Sequence, residues 1–429
     1  MVDGRAQVPE TGRPLRVALL GLGTVGRAVA ERLIDAEWRA AVTARGANPP
    51  ELVAVGVREP GRKRALTLHA SIRQTADLDE LVADPGIDVV VELIGGLEPA
   101  AQLVQRAFEA GKHVVTANKK LLASFGPTLE TAARAAGVVL RFEAAVAGGI
   151  PVLAPLVLDL AGNRISGVRG IVNGTTNFIL TAMARDGRTY ADVLSEAQGR
   201  GYAEADPSAD VEGFDAADKL AILSRLAFGA WPEVGQLRRA GPDTEGDATA
   251  GITAIQPLEL RYAAELGLAI KLVGDASLWG DAVMASVMPV AVRASSPIGS
   301  TDGVTNVVEI TAAPVGVVTF QGPGAGGGAT SSAVLADLLA LARGAGSTWG
   351  QLPEPTRTLR IIDPLEVPRA WFLVAADAIG DGVAYRVQDL ALASAGDAVV
   401  IQPMGLGELR HRLEDRGIRA NLYPLLPES

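Results

Sequence analysis

Over the first third of the chain, short apolar runs alternate with helical patterns. Residues 15–20 form a mostly apolar run, followed by Gly21-Leu22-Gly23-Thr24-Val25-Gly26 and a 3.6-residue pattern through Leu33, which reads as strand, glycine turn and helix. Further apolar runs at 52–57, 88–93, 113–116 and 138–142 predict strands, and helical patterns fall at 78–82, 100–110 and 127–136. Strands and helices alternating at these lengths predict a parallel sheet covered on both faces.

From about residue 144 to 310 the character changes. Apolar strands at 167–172 and 282–292 surround helical patterns at 190–199, 210–228 and 255–266, as expected of an α+β segment. A Gly-rich loop at 322–328 then opens a helix at 331–342. Residues 352–368 are rich in Pro and Arg and read as a linker, after which strands at 370–375, 398–402 and 419–424 and a helix at 405–416 predict a small further domain.

Composition narrows the chemistry. The 429 residues include no cysteine and three histidines, His69, His113 and His411, far apart in sequence, so thiol nucleophiles, disulfides and thiolate metal sites are excluded. Lys, Asp, Glu, Ser, Thr or a cofactor must carry any reaction. A net charge of −10 argues against a nucleic-acid surface. No uncharged apolar stretch reaches the roughly 18 residues that a spanning helix needs, and residues 1–14 lack the apolar centre of a signal peptide, so a loose tail and a cytoplasmic location are expected.

Three segments carry candidate chemistry. In Gly21-x-Gly23-x-x-Gly26 the first glycine permits a tight turn, the second a close approach to a pyrophosphate, and the third close helix packing, with Thr24 and Val25 at the helix start. Placed directly after a strand, this motif predicts dinucleotide binding. The second strand ends at Arg58-Glu59 with Arg62, Lys63 and Arg64 beyond; an Arg here accommodates the 2′-phosphate of NADP, while Glu59 keeps NAD open. Second, Lys119 follows a strand end and Asn118, beside the crevice where parallel sheets bind ligands. A surface lysine at a helix start would look the same. Third, in Tyr202-Ala203-Glu204-Ala205-Asp206-Pro207, continuing through Asp210 to Asp215 and Lys219, the last two are i and i+4 on one helical face, so the carboxylate can orient the ammonium. A plain helix salt bridge would explain that pair alone. Asn173-Gly174-Thr175-Thr176-Asn177 offers small polar donors to a substrate carboxylate or simply caps a helix, and Glu143 with the turn Ala147-Gly148-Gly149-Ile150-Pro151 offers oxygens to a cation or merely ends a strand.

Together these residues resemble the homoserine dehydrogenase family. The likeness rests on Gly21–Gly26, Val115-Thr116-Ala117-Asn118-Lys119, Phe142-Glu143-Ala144 with Gly148-Gly149-Ile150-Pro151, the Asn173–Asn177 segment, Gly201 to Lys219, Gly251-Ile252 and Gly322-Pro323-Gly324-Ala325-Gly326-Gly327, and it spans about residues 15–345. It implies NAD(P)-dependent interconversion of L-homoserine and L-aspartate 4-semialdehyde, on the route to threonine, methionine and isoleucine. It further implies Lys219 as acid/base, Asp215 as its partner and Lys119 near the reacting oxygen and cofactor. Glu204 would bind the substrate amino group, with Asp210, Tyr202, Gly174 and Thr175 as further parts of the pocket. Gly21, Gly23, Thr24, Val25, Gly26, Arg58, Lys119, Gly324 and Gly326 would hold NADP or NAD. A structural monovalent cation such as sodium would map to Glu143, Val146, Gly148 and Ile150.

The expected architecture is α/β: a tail at 1–14, a Rossmann-type dinucleotide-binding domain at 15–143 and 311–345, an inserted α+β substrate and dimerisation domain at 144–310, a linker at 346–368 and a small C-terminal α/β domain at 369–429. That last domain has an ACT-like end over 398–424, yet 375–398 lacks the Gly-rich turn and clear first helix of an ACT fold. Feedback by threonine is the corresponding expectation. Ser296-Pro297 stands where many members carry His-Pro. A small-molecule substrate, a homodimer or homotetramer, and neither nucleic-acid nor membrane partners complete the expectation. Aspartate-semialdehyde dehydrogenase, which needs a cysteine, is ruled out, and a non-catalytic nucleotide-sensing homologue is the alternative.

Overall fold

The computed structural model describes residues 13–62, 64–241, 251–356, 358–376 and 382–427, so most of the expected tail, and Lys63, lie outside the described residues. The chain separates into two compact units. The first comprises Met1–Gly162, Phe228–Trp231 and Pro323–Thr358; the second comprises Asn163–Ala227, Pro232–Gly322 and Leu359–Ser429.

In the first unit the elements run β1 (Arg16–Leu20), α1 (Thr24–Ile34), α2 (Ala36–Ala44), β2 (Glu51–Gly56), β3 (Arg73–Thr75), α3 (Leu78–Ala83), β4 (Val89–Glu92), α4 (Ala100–Glu109), β5 (His113–Thr116), α5 (Lys119–Ala136), β6 (Leu140–Arg141) and α6 (Leu153–Val157). The sheet is parallel in the order β3-β2-β1-β4-β5-β6. Strands are added to one side of β1 as far as β3 and to its other side from β4 onward, and ligands of such sheets bind at that switch point, beyond the strands' carboxyl ends. Strand alternation decides the packing: Val17 and Leu19 face Val29, Leu33, Val334 and Leu338, whereas Ala18 and Leu20 point to the opposite face. Helix α5 begins eight residues earlier than expected. Asn118 caps it, its Oδ1 accepting from the Leu121 amide at 3.1 Å, and Pro127 lies inside it.

The second unit is built on β7 (Arg164–Ile171), α7 (Gly174–Asp186), α8 (Tyr190–Gly199), α9 (Ser208–Val211), α10 (Phe214–Phe228, whose last residue belongs to the first unit), β8 (Arg238–Arg239), α11 (Pro257–Glu265), β9 (Leu268–Trp279), β10 (Ala282–Arg293), β11 (Thr305–Ala313) and β12 (Gly316–Pro323). Its sheet runs β12-β11-β7-β9-β10, extended by β13 (Ile361–Ile362) and with β8 also on β10. The helix α12 (Gly327–Ala342) returns to the first unit. Residues 311–322, expected in the nucleotide-binding domain, instead lie within β11 and β12 of this sheet, because β11 pairs antiparallel with β7.

Two expectations for the C-terminal third are corrected. The stretch 346–368 is not a free linker: Trp349 is buried against Phe142, the Phe142 amide donates to Thr348 Oγ1 at 3.0 Å, and β13 extends the second sheet. Nor is 369–429 separate. Its β14 (Arg369–Ala375), α13 (Val383–Arg386), β15 (Ala391–Ala395), β16 (Ala398–Met404), α14 (Leu406–Glu414) and β17 (Ala420–Pro424) form an antiparallel sheet in the order β15-β16-β14-β17. This is a split βαβ arrangement whose first helix has only four residues. Trp371, Leu373, Val399 and Leu409 share one apolar cluster with Val273, Met288 and Val290 of β9 and β10, so the module completes the core of the second unit.

Candidate active site

The sequence places Gly21 where β1 must turn sharply. Its φ of +102° suits glycine, and a Cβ there would lie 2.7 Å from the Leu93 carbonyl oxygen, beside the end of β4. Gly26 permits the closest approach of α1: a Cβ would stand 2.2 Å from the Gly21 carbonyl oxygen. The resulting turn opens onto a cavity of about 800 Å³ lined by Gly21, Gly23, Arg27, Val57, Arg58, Glu59, Arg62, Arg64, Ile94 and Gly95, among others. Its position at the switch point, its glycine floor and its four arginines suit a ligand carrying phosphates. Thr24, Val25, Gly26, Lys119, Gly324 and Gly326 do not line it. Thr24 abuts the Gly-rich loop at Gly327, and Gly326, with φ of +99°, caps α12.

The strand-end residue Glu92, which sequence reasoning did not single out, braces this region. Fully buried, it accepts from the Ile94 and Gly95 amides at 3.0 Å each and from Thr116 Oγ1 at 2.6 Å. An acid closing an otherwise apolar strand is the signal that could have found it. Lys119 is half-buried at the first turn of α5, and Lys120 is exposed.

Glu143 is buried, and its carboxylate reaches the start of α6: Oε1 accepts from the Val152 and Leu153 amides and Oε2 from the Ala154 amide, each at 2.8 Å. The carboxylate thus caps a helix terminus. The carbonyls of Val146, Gly148 and Ile150 have no hydrogen-bond donor among the described residues, and Ala147 and Gly148 share a φ of +54° in this turn. Close by, buried Asp337 receives Arg141 Nε at 2.7 Å and the Glu143 amide at 2.8 Å. Burial, opposed by Arg141, pushes its carboxyl up to about 6.

In the second unit, β7 delivers Val172 and Asn173 to the start of α7, and α9 and α10 bring three more charged residues to them. Lys219 Nζ donates to Asp215 Oδ2 at 2.7 Å and to the Val172 carbonyl at 2.6 Å. Asn173 uses its Oδ1 to cap α7, accepting from the Thr176 amide, while its Nδ2 donates to Asp210 Oδ1 at 2.7 Å and to Asp215 Oδ2 at 2.8 Å. One amide thus spans two carboxylates and an ammonium. Burial, and then the charge of Asp215, raise the Asp210 carboxyl; bonds from Asn173 and Thr175 and the charge of Lys219 oppose that rise. Thr175 Oγ1 donates to the Tyr202 carbonyl at 2.8 Å. Tyr202 packs edge-on against Phe178, and Glu204 is exposed on the same loop. Gly174 lets α7 start against the Val304 carbonyl oxygen, 2.7 Å from where a Cβ would be.

Sequence reasoning read Asn173 as part of a donor turn and missed its bridging role. The Val172 carbonyl carried no signal at all, since a backbone oxygen is independent of residue type. Ser296 closes a tight turn, donating to the Arg293 carbonyl and accepting from the Gly299 amide, which accounts for a serine at that position.

A parallel sheet with a glycine turn at its switch point, joined in one chain to a buried lysine–carboxylate cluster, defines a nicotinamide-dinucleotide-dependent oxidoreductase. Residues 21–143 match the homoserine dehydrogenase NAD binding domain and residues 151–339 match homoserine dehydrogenase. The chain is 44% identical over 329 residues to the homoserine dehydrogenase of Synechocystis, covering 76% of this chain and 72% of that relative, and 39% identical to the Bacillus subtilis enzyme. Among solved structures, a homoserine dehydrogenase from Thiobacillus denitrificans superposes with a TM-score of 0.85 at 35% identity, covering 97% of this chain and 99% of its own. A hyperthermophilic archaeal homoserine dehydrogenase in complex with NADPH matches with a TM-score of 0.61 at 25% identity, covering 76% of this chain and 97% of its own. The chain belongs to the homoserine dehydrogenase family: it is an NAD(P)-dependent oxidoreductase of amino-acid biosynthesis that interconverts L-homoserine and L-aspartate 4-semialdehyde.

Proposed function

We propose that Lys219 is the acid/base of this reaction and that NADP is the preferred dinucleotide. The observation that carries the first part is the grip on Lys219 Nζ by Asp215 and the Val172 carbonyl, inside a cluster that Asn173 ties to Asp210. A bound dinucleotide would supply the hydride chemistry that links the homoserine carbinol carbon to the aldehyde. Lys219 Nζ, as the free amine, takes the hydroxyl proton as the alcohol is oxidised and, as the ammonium, gives it back to the oxygen in the reverse direction. Asp215 holds that ammonium in place, and Lys119 supplies a second positive charge toward the developing alkoxide. The substrate is a small zwitterion, so its ammonium faces Glu204 and Asp210, with Tyr202, Gly174 and Thr175 shaping the pocket.

Gly21 and Gly23 give the dinucleotide a floor without side-chain obstruction, Thr24, Val25 and Gly26 open the helix that follows, Gly324 and Gly326 lie on the loop leading into α12, and Arg58 faces the adenosine 2′-phosphate. A structural monovalent cation such as sodium fits oxygens of Glu143, Val146, Gly148 and Ile150, and the carbonyls of the last three have no hydrogen-bond donor among the described residues. A homodimer or homotetramer formed through the second unit, and a cytoplasmic location, belong to the same reading. Among the described residues no helix is long and apolar enough to cross a membrane.

The test follows absorbance at 340 nm as the purified protein oxidises L-homoserine with NADP or NAD. Lys219→Ala is expected to lower kcat by about 10²–10⁴-fold while dinucleotide binding, read by fluorescence, is retained. Wild-type turnover in that variant removes Lys219 from the role.

A further inference from the structure

The C-terminal sheet reaches the substrate acids through one buried carboxylate that the mechanism does not use. Glu259 lies in the first turn of α11 and is 3% exposed. Its Oε2 accepts from the Gln256 amide at 2.6 Å, closing a capping box. Its Oε1 accepts from Asn421 Nδ2 of β17. The fully buried Tyr423 hydroxyl, two residues on, lies against the same carboxylate without completing a well-aligned hydrogen bond. At the other end of α11, Tyr262 fills the space over Gly396 in the β15–β16 turn, where a Cβ would stand 2.4 Å from its ring. The helix is thus pinned to the C-terminal sheet at both ends.

The segment leading into α11 runs against the loop that carries Asp210. Gly251 has a φ of +83°, and a Cβ there would lie 1.8 Å from the Val211 carbonyl oxygen. The Ile252 amide donates to that same oxygen at 3.0 Å, and Ile252 and Ile255 are both fully buried. Val211 follows Asp210 directly in α9, and Asp210 is held by Asn173 at 2.7 Å.

We infer that Glu259 is a positioning residue for substrate binding: Asn421 of the C-terminal sheet holds it, it holds the start of α11, and the segment from Gly251 to Ile255 then props the end of α9 that presents Asp210. The C-terminal module thereby tunes the affinity for homoserine through a backbone contact. This rests on the reading that Asp210 faces the substrate.

Steady-state kinetics of the full chain with L-homoserine and NADP test it. Asn421→Asp sets two carboxylates against each other and is expected to raise the KM for homoserine about fivefold, with kcat and the KM for NADP changing less than about twofold. In the double variant Asn421→Asp/Glu259→Gln the donor and acceptor are exchanged: the introduced glutamine still accepts from the Gln256 amide through its Oε1, while its Nε2 donates to the introduced aspartate. The KM is expected to return to within about twofold of wild type. A homoserine KM unmoved in Asn421→Asp, a fall in melting temperature with unchanged kinetics, or a double variant no better than the single one overturns the inference. Asp210→Asn, measured alongside, separates the two readings. If it leaves the homoserine KM unchanged, the assignment of Asp210 fails; if it raises the KM while Asn421→Asp does not, the coupling alone fails.

Discussion

Asn173 shows how much one side chain can settle. Its Oδ1 caps α7, and its amide group donates to both Asp210 and Asp215, residues 37 and 42 positions further along the chain, partly offsetting their mutual repulsion. If the Asp210 anion binds substrate, kcat/KM for homoserine falls on acidification as this raised carboxyl gains its proton. Asn173→Ala removes a bond that favours the anion, so the acidic limb is expected to move to higher pH. A limb that stays in place in that variant argues against Asp210 as the titrating group. At the dinucleotide cavity, Arg58→Ala is expected to raise the KM for NADP about tenfold or more, the scale of a lost hydrogen bond to a charged group, and to leave that for NAD unchanged. Equal losses with both dinucleotides would show that Arg58 does not read the 2′-phosphate.

Elements meet closely where glycine allows it. The approach of α1 to the β1 turn depends on Gly26, whose replacement by Ala would bring a Cβ to 2.2 Å from backbone. The backbone must shift, at a cost of about 1–3 kcal/mol. Gly26→Ala is therefore expected to weaken NADP binding about tenfold or more, measured by titration of cofactor fluorescence, while circular dichroism stays close to wild type. Much at this scale was legible: the main strands and helices of the first unit, and the glycine turn, follow from short-range periodicity and steric need, whereas α2, β3 and α6 were not read. The start of α5 was legible too. The stripe of Leu121, Leu122, Phe125 and Leu129 already runs back into the first turns of α5, and the Asn118 cap marks where the helix begins. The strand β9 escaped because it is read only when paired with β10 along its full length.

For the molecule as a whole, the C-terminal segment is the decisive case. Its sequence suggested a domain hung from a linker, yet Leu365, Trp371, Leu373, Val399 and Leu409 are buried in one cluster with Val273, Met288, Val290 and Val292. Ending the chain at residue 358 would uncover that face of β9 and β10. The shortened protein is expected to bind an apolar fluorescent dye and to aggregate, whereas a separable domain would leave a soluble dehydrogenase behind. Some properties were already decided by the chain's local patterns. These are the parallel sheet, the dinucleotide turn, the pairing of Asp215 with Lys219 one helical turn apart, and a chemistry without thiols. Each depends on neighbours within a few residues or on composition alone. Only the tertiary structure decided that Asn173 bridges two acids, that Glu143 caps α6, and that the last sixty or so residues belong to the core of the second unit. Those contacts join residues distant in sequence, or compete with equally good partners nearby, and the packing of the folded chain selects among them.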